Sequence, residues 1–211
     1  MQQKTEVVIF DLGGVVIDLD VRKTLDAFQQ LIGDEFNILE EAQLNQSFYI
    51  EYEKGHISCD EFRSHIRGLT TKTLRDEEID YAWNSMLQDI PVDRLSWIAA
   101  LKEHYRICVL SNINVLHIKG FNKIFKEQTP YDHPAELFEK VFYSCDMGMR
   151  KPDENIYEQV LKDMGVKPER AIFFDDKQEN IDTAEKLGIK GFLVKRNCLT
   201  QNMLPGVNGH A

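Results

Sequence analysis

The sequence predicts an α/β protein: an open parallel sheet flanked by helices, with an α-helical bundle inserted near its start. Three observations carry that expectation. Five short runs rich in β-branched and aromatic residues are spread along the chain. Helical patterns alternate with the later runs. A long stretch after the first run holds helical patterns alone.

The runs are residues 6–10, 106–110, 141–144, 171–174 and 191–194. Short, near-continuous apolar runs suit strands buried on both faces, as parallel strands are. A helical pattern at 95–104 precedes the second run. Another at 155–164 precedes the fourth and stops at Gly165, and one at 179–187 precedes the fifth and stops at Gly188. Glycine is favoured there because it adopts the left-handed conformation that ends many helices. Alternation of this kind argues for an open sheet with helices on both faces.

The first run breaks the rhythm, since residues 11–105 separate it from the second. Helical patterns lie at 22–32, with Leu25, Phe28, Leu31 and Ile32 on one side, and at 38–48, 58–68 and 76–87. Ser58 with Glu61 three residues later forms a capping box. Amphipathic helices without an intervening strand pack best as a bundle. The expected division is therefore residues 1–19 plus 89–211 as the α/β core and 20–88 as a helical insertion. The tail, 197–211, is polar and contains Gly and Pro, and is expected to be loosely held.

A chain of 211 residues, 43% hydrophobic, can bury a proper core. Its 25 basic and 35 acidic residues give a net charge of -10. No basic run offers the footprint a general nucleic-acid binder needs. An anionic substrate would have to be drawn in by a local cluster, against the global field. Cys59, Cys108, Cys145 and Cys198 show no CxxC spacing and are expected to be buried free thiols. Neither a signal segment nor an apolar run near 18 residues is present, so the reading is cytoplasmic, with no membrane partner. No obligate protein partner is inferred.

In an open parallel sheet, ligands bind beyond the carboxyl ends of the strands. Asp11, Leu12, Gly13 and Gly14 follow the first run, Ser111 and Asn112 the second, Arg150, Lys151, Pro152 and Asp153 the third, and Asp175 and Asp176 the fourth. Gathered on one edge, Asp11, Asp175 and Asp176 would repel one another strongly. Lys151 offsets one charge and a divalent cation would offset the others; oxygen ligands and a phosphate-type substrate favour Mg2+. Asp11 could then attack phosphorus in line, with Ser111, the Asn112 amide and Lys151 holding the phosphoryl oxygens. Singly, each residue is better explained as a turn residue, a helix start or a solvated acid. Together, at successive strand ends, they make a self-consistent charge arrangement.

The segments FDLGGVV, VLSNIN, GMRKPD and FFDDKQENI resemble the four ordered motifs of the haloacid dehalogenase superfamily. The helical insertion resembles the cap of one large branch, as does the segment from Tyr52 to Ser58 followed by Glu61 and Phe62. Within the superfamily the chain resembles bacterial phosphatases acting on alpha-D-glucose 1-phosphate. The resemblance implies a Rossmann-like core and an aspartyl-phosphate on Asp11, with Gly13 (through its carbonyl), Asp11, Asp176 and Asp175 around the metal, the last directly or through water. It implies Ser111, Asn112 and Lys151 as phosphate binders and Asn180 as support for the metal site. The substrate it implies is a small phosphorylated metabolite such as a hexose 1-phosphate.

One departure stands out. Many phosphatases of the superfamily carry a second Asp two positions after the nucleophile as general acid and base, and here that position is Gly13. Losing such a group costs about a hundred- to ten-thousand-fold. An anomeric leaving group softens that cost. Asp18, His56 or water are the replacement candidates, although Asp18 is more simply read as a loop acid at the cap hinge and His56 as a surface turn residue. The competing readings are a 2-haloacid dehalogenase, which needs no leaving-group proton, and a non-catalytic relative that binds a phosphometabolite. A mutase would need an acid at position 13.

Overall fold

The computed structural model describes residues 5–33, 36–195 and 199. β1 (Val7–Phe10) opens the sheet. Helices α1 (Val21–Ile32), α2 (Ile38–Leu44), α3 (Gln46–Glu53), α4 (Cys59–Gly68) and α5 (Asp76–Asn84) follow. The chain returns through α6 (Val92–Leu101) to β2 (Arg106–Ser111), α7 (Val115–Gln128), a single turn α8 (Pro134–Leu137), β3 (Lys140–Tyr143) and a single turn α9 (Ser144–Met147). It ends with α10 (Glu154–Met164), a 3-10 turn, β4 (Ala171–Asp175), α11 (Gln178–Lys186) and β5 (Lys190–Leu193).

The strands form one parallel sheet in the order β3-β2-β1-β4-β5. Alternate residues of a strand face opposite ways, and the core is built accordingly. Val8 and Phe10 of β1 join Val109 and Phe174 in one apolar layer, while Val7 and Ile9 join Cys108 and Phe173 in the other. Phe10 stacks on Phe174 with ring centroids 5.3 Å apart. β1 sits at the centre, pairing with β2 along one edge and β4 along the other.

A third apolar cluster lies among the first five helices. Phe28, Tyr52, Phe62, Ile79 and Trp83 form it, and Leu116 of α7 reaches into it. The expected capping box is present: the Ser58 hydroxyl accepts from the Glu61 N–H, and the Glu61 carboxylate accepts from the Ser58 N–H. The two connections between sheet and helices run side by side. Asp18 N–H donates to the Asp89 carbonyl, Gln88 N–H to that of Asp18, and Asp20 N–H to that of Met86. Arg94, which is buried, ties the ribbon down by donating to the Asp18 carboxylate at 2.6 Å.

Several expectations shift in detail. The single helix read at 38–48 is two, broken at Asn45, whose side-chain amide donates to the Glu41 carboxylate. The helix read at 95–104 begins at Val92, directly after Pro91, because proline starts helices well. Ser144 opens α9 instead of closing β3. The fourteen-residue α7 was absent from the sequence reading. Cys108 is buried as expected, but Cys59 and Cys145 are only half-buried; these three are free thiols. Cys198, and the tail 197–211 apart from Leu199, lie outside the described residues. Among the described residues no helix is long and apolar enough to cross a membrane.

Candidate active site

The order of the strands fixes where the site must be. From β1 the chain builds outward in both directions, so the loops after β1, β2 and β4 splay apart and leave a crevice at the carboxyl edge. Asp11 stands immediately beyond β1. Ser111 ends β2, Asp175 ends β4 and Asp176 follows it. Lys151 comes from the loop between α9 and α10. A cavity of about 240 Å³ opens there, and Asp11, Gly13, Ser111, Asn112, Lys151, Asp176 and Asn180 all line it.

Lys151 is the pivot of the cluster. Its ammonium donates to Asp11 Oδ1 at 2.8 Å, Asp175 Oδ2 at 2.7 Å and the Leu110 carbonyl at 2.8 Å, which uses all three of its protons. The side chain is 1% exposed. Burial alone would lower the lysine's pKa, but Asp11 and Asp175 outweigh it and hold the ammonium above its ordinary range. Asp175 is fully buried. Its second oxygen accepts from the Lys177 N–H at 2.8 Å and the Asn180 side-chain amide at 2.9 Å.

Asp11, Asp175 and Asp176 each offer a carboxylate oxygen, and these oxygens lie within 4.8 Å of one another. Burial pushes the Asp11 carboxyl up to about 6, with Lys151 pulling it down and the Asp175 charge adding to the rise. Burial and the Asp175 charge also raise Asp176. Three acids against one ammonium leave an excess of negative charge that a cation would relieve. Two further features fit a hard divalent ion. All the donors are oxygen, and the Asn180 side-chain oxygen is buried without a hydrogen-bond partner. A buried acceptor left unpaired is costly and marks a place for a water or ion.

Gly14 has φ +76°, and a Cβ there would come within 2.7 Å of Asp176 Oδ2, so the turn after Asp11 needs glycine to pass this close to the acid. At Gly13 a Cβ would meet the Leu19 side chain at 2.7 Å. The space into which a residue at position 13 would project is filled by an apolar side chain.

Three residues singled out from sequence have partners of their own. The Asn112 side chain is engaged with backbone at both ends. Its oxygen accepts from the Lys151 N–H at 2.9 Å and its nitrogen donates to the Lys151 carbonyl at 2.8 Å, clamping the lysine's own backbone. Asp18 is bound by Arg94 and does not line the cavity. His56 pairs with Glu51 at 2.6 Å and does not line it either.

Other residues line the cavity, and of these only Glu53 lies in the segment, Tyr52 to Ser58, that the sequence singles out. Trp83, Met86, Leu87 and Glu53 roof it from the helical side, and Asn114 and His117 close its flank. His117 stacks on Trp83 with centroids 5.0 Å apart. Its Nε2 lies 3.1 Å from the Trp83 carbonyl, and its Nδ1 lies 3.1 Å from the Asn114 side-chain nitrogen. A carbonyl only accepts and an amide nitrogen only donates, so the ring is neutral with its proton on Nε2. Burial first, against weaker opposing effects of the Trp83 carbonyl and Glu53, pulls its pKa down to about 4. An Asn just before the apolar residues Leu116, Phe121 and Phe125 is a helix-start signal that would have located α7 and hence His117.

Residues 5–188 match the family described as haloacid dehalogenase-like hydrolase, and the chain belongs to that family. Among curated proteins it is 30% identical over 188 residues to the D-ribitol-5-phosphate phosphatase of Bacteroides thetaiotaomicron, covering 88% of this chain and 89% of that one. Among solved structures it resembles a HAD family enzyme from Bacteroides thetaiotaomicron in complex with magnesium and inorganic phosphate. The TM-score is 0.86 at 34% identity, over 94% of this chain and 98% of the other. It also resembles a predicted HAD-like family hydrolase from Porphyromonas gingivalis, with a TM-score of 0.81 at 29% identity over 97% of both chains.

Proposed function

We propose that the chain is a magnesium-dependent phosphatase that hydrolyses a small phosphate monoester through an aspartyl-phosphate on Asp11. The observation that carries this is the set of three carboxylates within 4.8 Å of one another, with one buried lysine bridging two of them. The named relative, a phosphatase, and the neighbour solved with magnesium and phosphate support it.

Asp11, Asp176 and the Gly13 carbonyl would hold the ion, with Asp175 binding directly or through water and Asn180 supporting. When bound, magnesium supplies positive charge to the phosphoryl oxygens. Lys151 keeps Asp11 ionised and aimed, and it answers charge that gathers on phosphate. An Asp11 oxygen attacks phosphorus, the ester P–O bond breaks, and the departing alkoxide takes a proton. Water then cleaves the acyl phosphate, releasing inorganic phosphate and restoring the carboxylate. Ser111 contributes its hydroxyl to the phosphate. With the Asn112 side chain engaged at both ends, its share falls to the backbone N–H. Gly13 leaves no acid beside the nucleophile, and Asp18 and His56 lie away from the cavity, so water protonates the leaving group in this reading.

The substrate is read as a sugar phosphate such as a hexose 1-phosphate, or a related polyol phosphate, and residues 20–88 act as the cap that closes over it. Turnover of p-nitrophenyl phosphate in magnesium, lost in excess chelator and in Asp11→Asn, is the expected result. Full activity with chelator on a 2-haloacid would replace this reading with the dehalogenase one. Tight phosphometabolite binding without any turnover would replace it with a binding role.

A further inference from the structure

The helical roof holds a second cavity, of about 210 Å³, beside the first. Glu53, Trp83, Met86 and Asn114 line both, so these residues form the junction between them. Most of the second lining is apolar or aromatic: Ile38, Leu39, Ala42, Tyr52 and Trp83. Two polar residues stand out in its lining. The Tyr49 hydroxyl is buried and has no hydrogen-bond partner. Glu53 is the one charged residue lining either cavity from the helical side, among the described residues.

Glu53 is held with unusual care. Arg150 Nε donates to one of its carboxylate oxygens at 2.5 Å. The Ser144 hydroxyl donates to its backbone carbonyl at 2.6 Å. Two residues on, Gly55 has φ +75°, and a Cβ there would fall 2.2 Å from the Cys145 carbonyl oxygen, so the chain is pressed against the core loop. The guanidinium also cancels the charge of the carboxylate, which would otherwise oppose an incoming phosphate. Tyr49 and Glu53 are four residues apart on α3, hence on the same face and about 6 Å apart along the axis.

We infer that Glu53 and Tyr49 read the hydroxyl groups of an elongated, polyhydroxylated phosphate ester whose carbon chain runs from the phosphate site along α3 into the second cavity. This inference rests on the phosphatase reading and adds the substrate's shape to it. Glu53, an acceptor only, takes a hydroxyl near the phosphate-bearing carbon. Tyr49 bonds a hydroxyl further out, and the apolar walls receive the C–H faces. Arg150 is a positioning residue acting through Glu53. A three-carbon polyol phosphate would stop at the junction, whereas a five-carbon one would pass it.

The test compares kcat/KM on p-nitrophenyl phosphate, glycerol 3-phosphate and D-ribitol 5-phosphate. The wild type should prefer the five-carbon polyol over the three-carbon one by about tenfold or more. In Glu53→Gln, the preference for ribitol 5-phosphate over p-nitrophenyl phosphate should fall roughly tenfold, as expected when a charged acceptor is lost. In Tyr49→Phe it should fall about threefold, and this variant alone carries the test if Glu53→Gln fails to fold. An unchanged preference, or parallel loss on both substrates, overturns the inference. So does wild-type turnover of p-nitrophenyl phosphate without chain-length discrimination. Absence of turnover on all three substrates instead refutes the phosphatase reading beneath it.

Discussion

The rim of the sheet and the helical roof above it solve opposite problems. The rim concentrates like charges that cannot leave, because Asp11 and Asp175 emerge from neighbouring central strands. It is held together by a single buried ammonium. The roof is mainly aromatic and apolar, and its polar groups are few: His117 and Glu53 are already paired, and the Tyr49 hydroxyl is not. Charge is therefore the currency of the rim, and shape with a few hydrogen bonds that of the roof. In the proposed reading, chemistry that is the same for every phosphate ester falls to the first, and discrimination between esters to the second.

That contrast can be broken most severely at Asp11. Asp11→Asn should lower turnover of p-nitrophenyl phosphate by about a thousandfold or more, as removal of a nucleophile does. Steady-state assay in magnesium measures it, and activity within tenfold of wild type would remove Asp11 from the chemistry. Next comes Lys151→Met. It leaves two buried carboxylates without their partner, and breaking a buried pair costs about 3–5 kcal/mol. Denaturant unfolding in chelator should show that loss.

The two regions should also answer pH with opposite signs. Asp11 has its pKa raised in the folded state, from 3.8 to about 6. Its contribution to stability is full below about pH 4 and is lost as pH rises through 6, up to about 3 kcal/mol. His117 has its pKa lowered from 6.5 to about 4. Its contribution is full above pH 6.5 and is lost as pH falls toward 4, by a similar amount. In metal-free wild type the two slopes oppose one another. Asp11→Asn should make stability rise more steeply between pH 4 and 6.5 than in wild type, with the raised Asp176 still opposing part of the His117 slope. His117→Phe should leave the falling one. Thermal melts across that range decide it, and identical profiles for both variants would contradict the assignment.

The smallest effect sharpens the boundary between the regions. Ser58→Ala removes one side of the capping box on α4 at a residue that lines neither cavity, and should cost about 1 kcal/mol in unfolding experiments. It should not alter the ratio of kcat/KM values between esters, because no lining residue moves. A changed ratio would mean that the roof is tuned by its whole bundle and not by the residues of α3 and α5.

The rim was largely legible in the sequence and the roof only in outline, as a helical insertion with one segment singled out around Glu53, for a physical reason. Strand-end residues are placed by topology: once the apolar runs are read as parallel strands, Asp11, Ser111 and Asp175 must share an edge. Lys151 followed from charge balance. The Asn112 clamp did not, because residue type says nothing about which way an amide turns. Nor did the contacts that build the roof. Glu53 and Arg150 meet across 97 residues of chain, and Trp83 reaches Asn114 and His117 from a different helix. Such meetings depend on how helices cross, which periodicity leaves open. The break at Asn45 was missed because the apolar pattern continues through it, although an Asn within a helical pattern is a natural stop.

The paired ribbon at 18–20 and 86–89 carries one more implication. Because the outgoing and returning chains leave the core side by side and bond to each other, everything between them is, to the sheet, a single long loop. Each strand pairing lies outside it. A lineage can therefore trade one bundle for another without re-threading the sheet or disturbing the acids at its edge. A fixed reaction coupled to a replaceable lock is what such wiring permits.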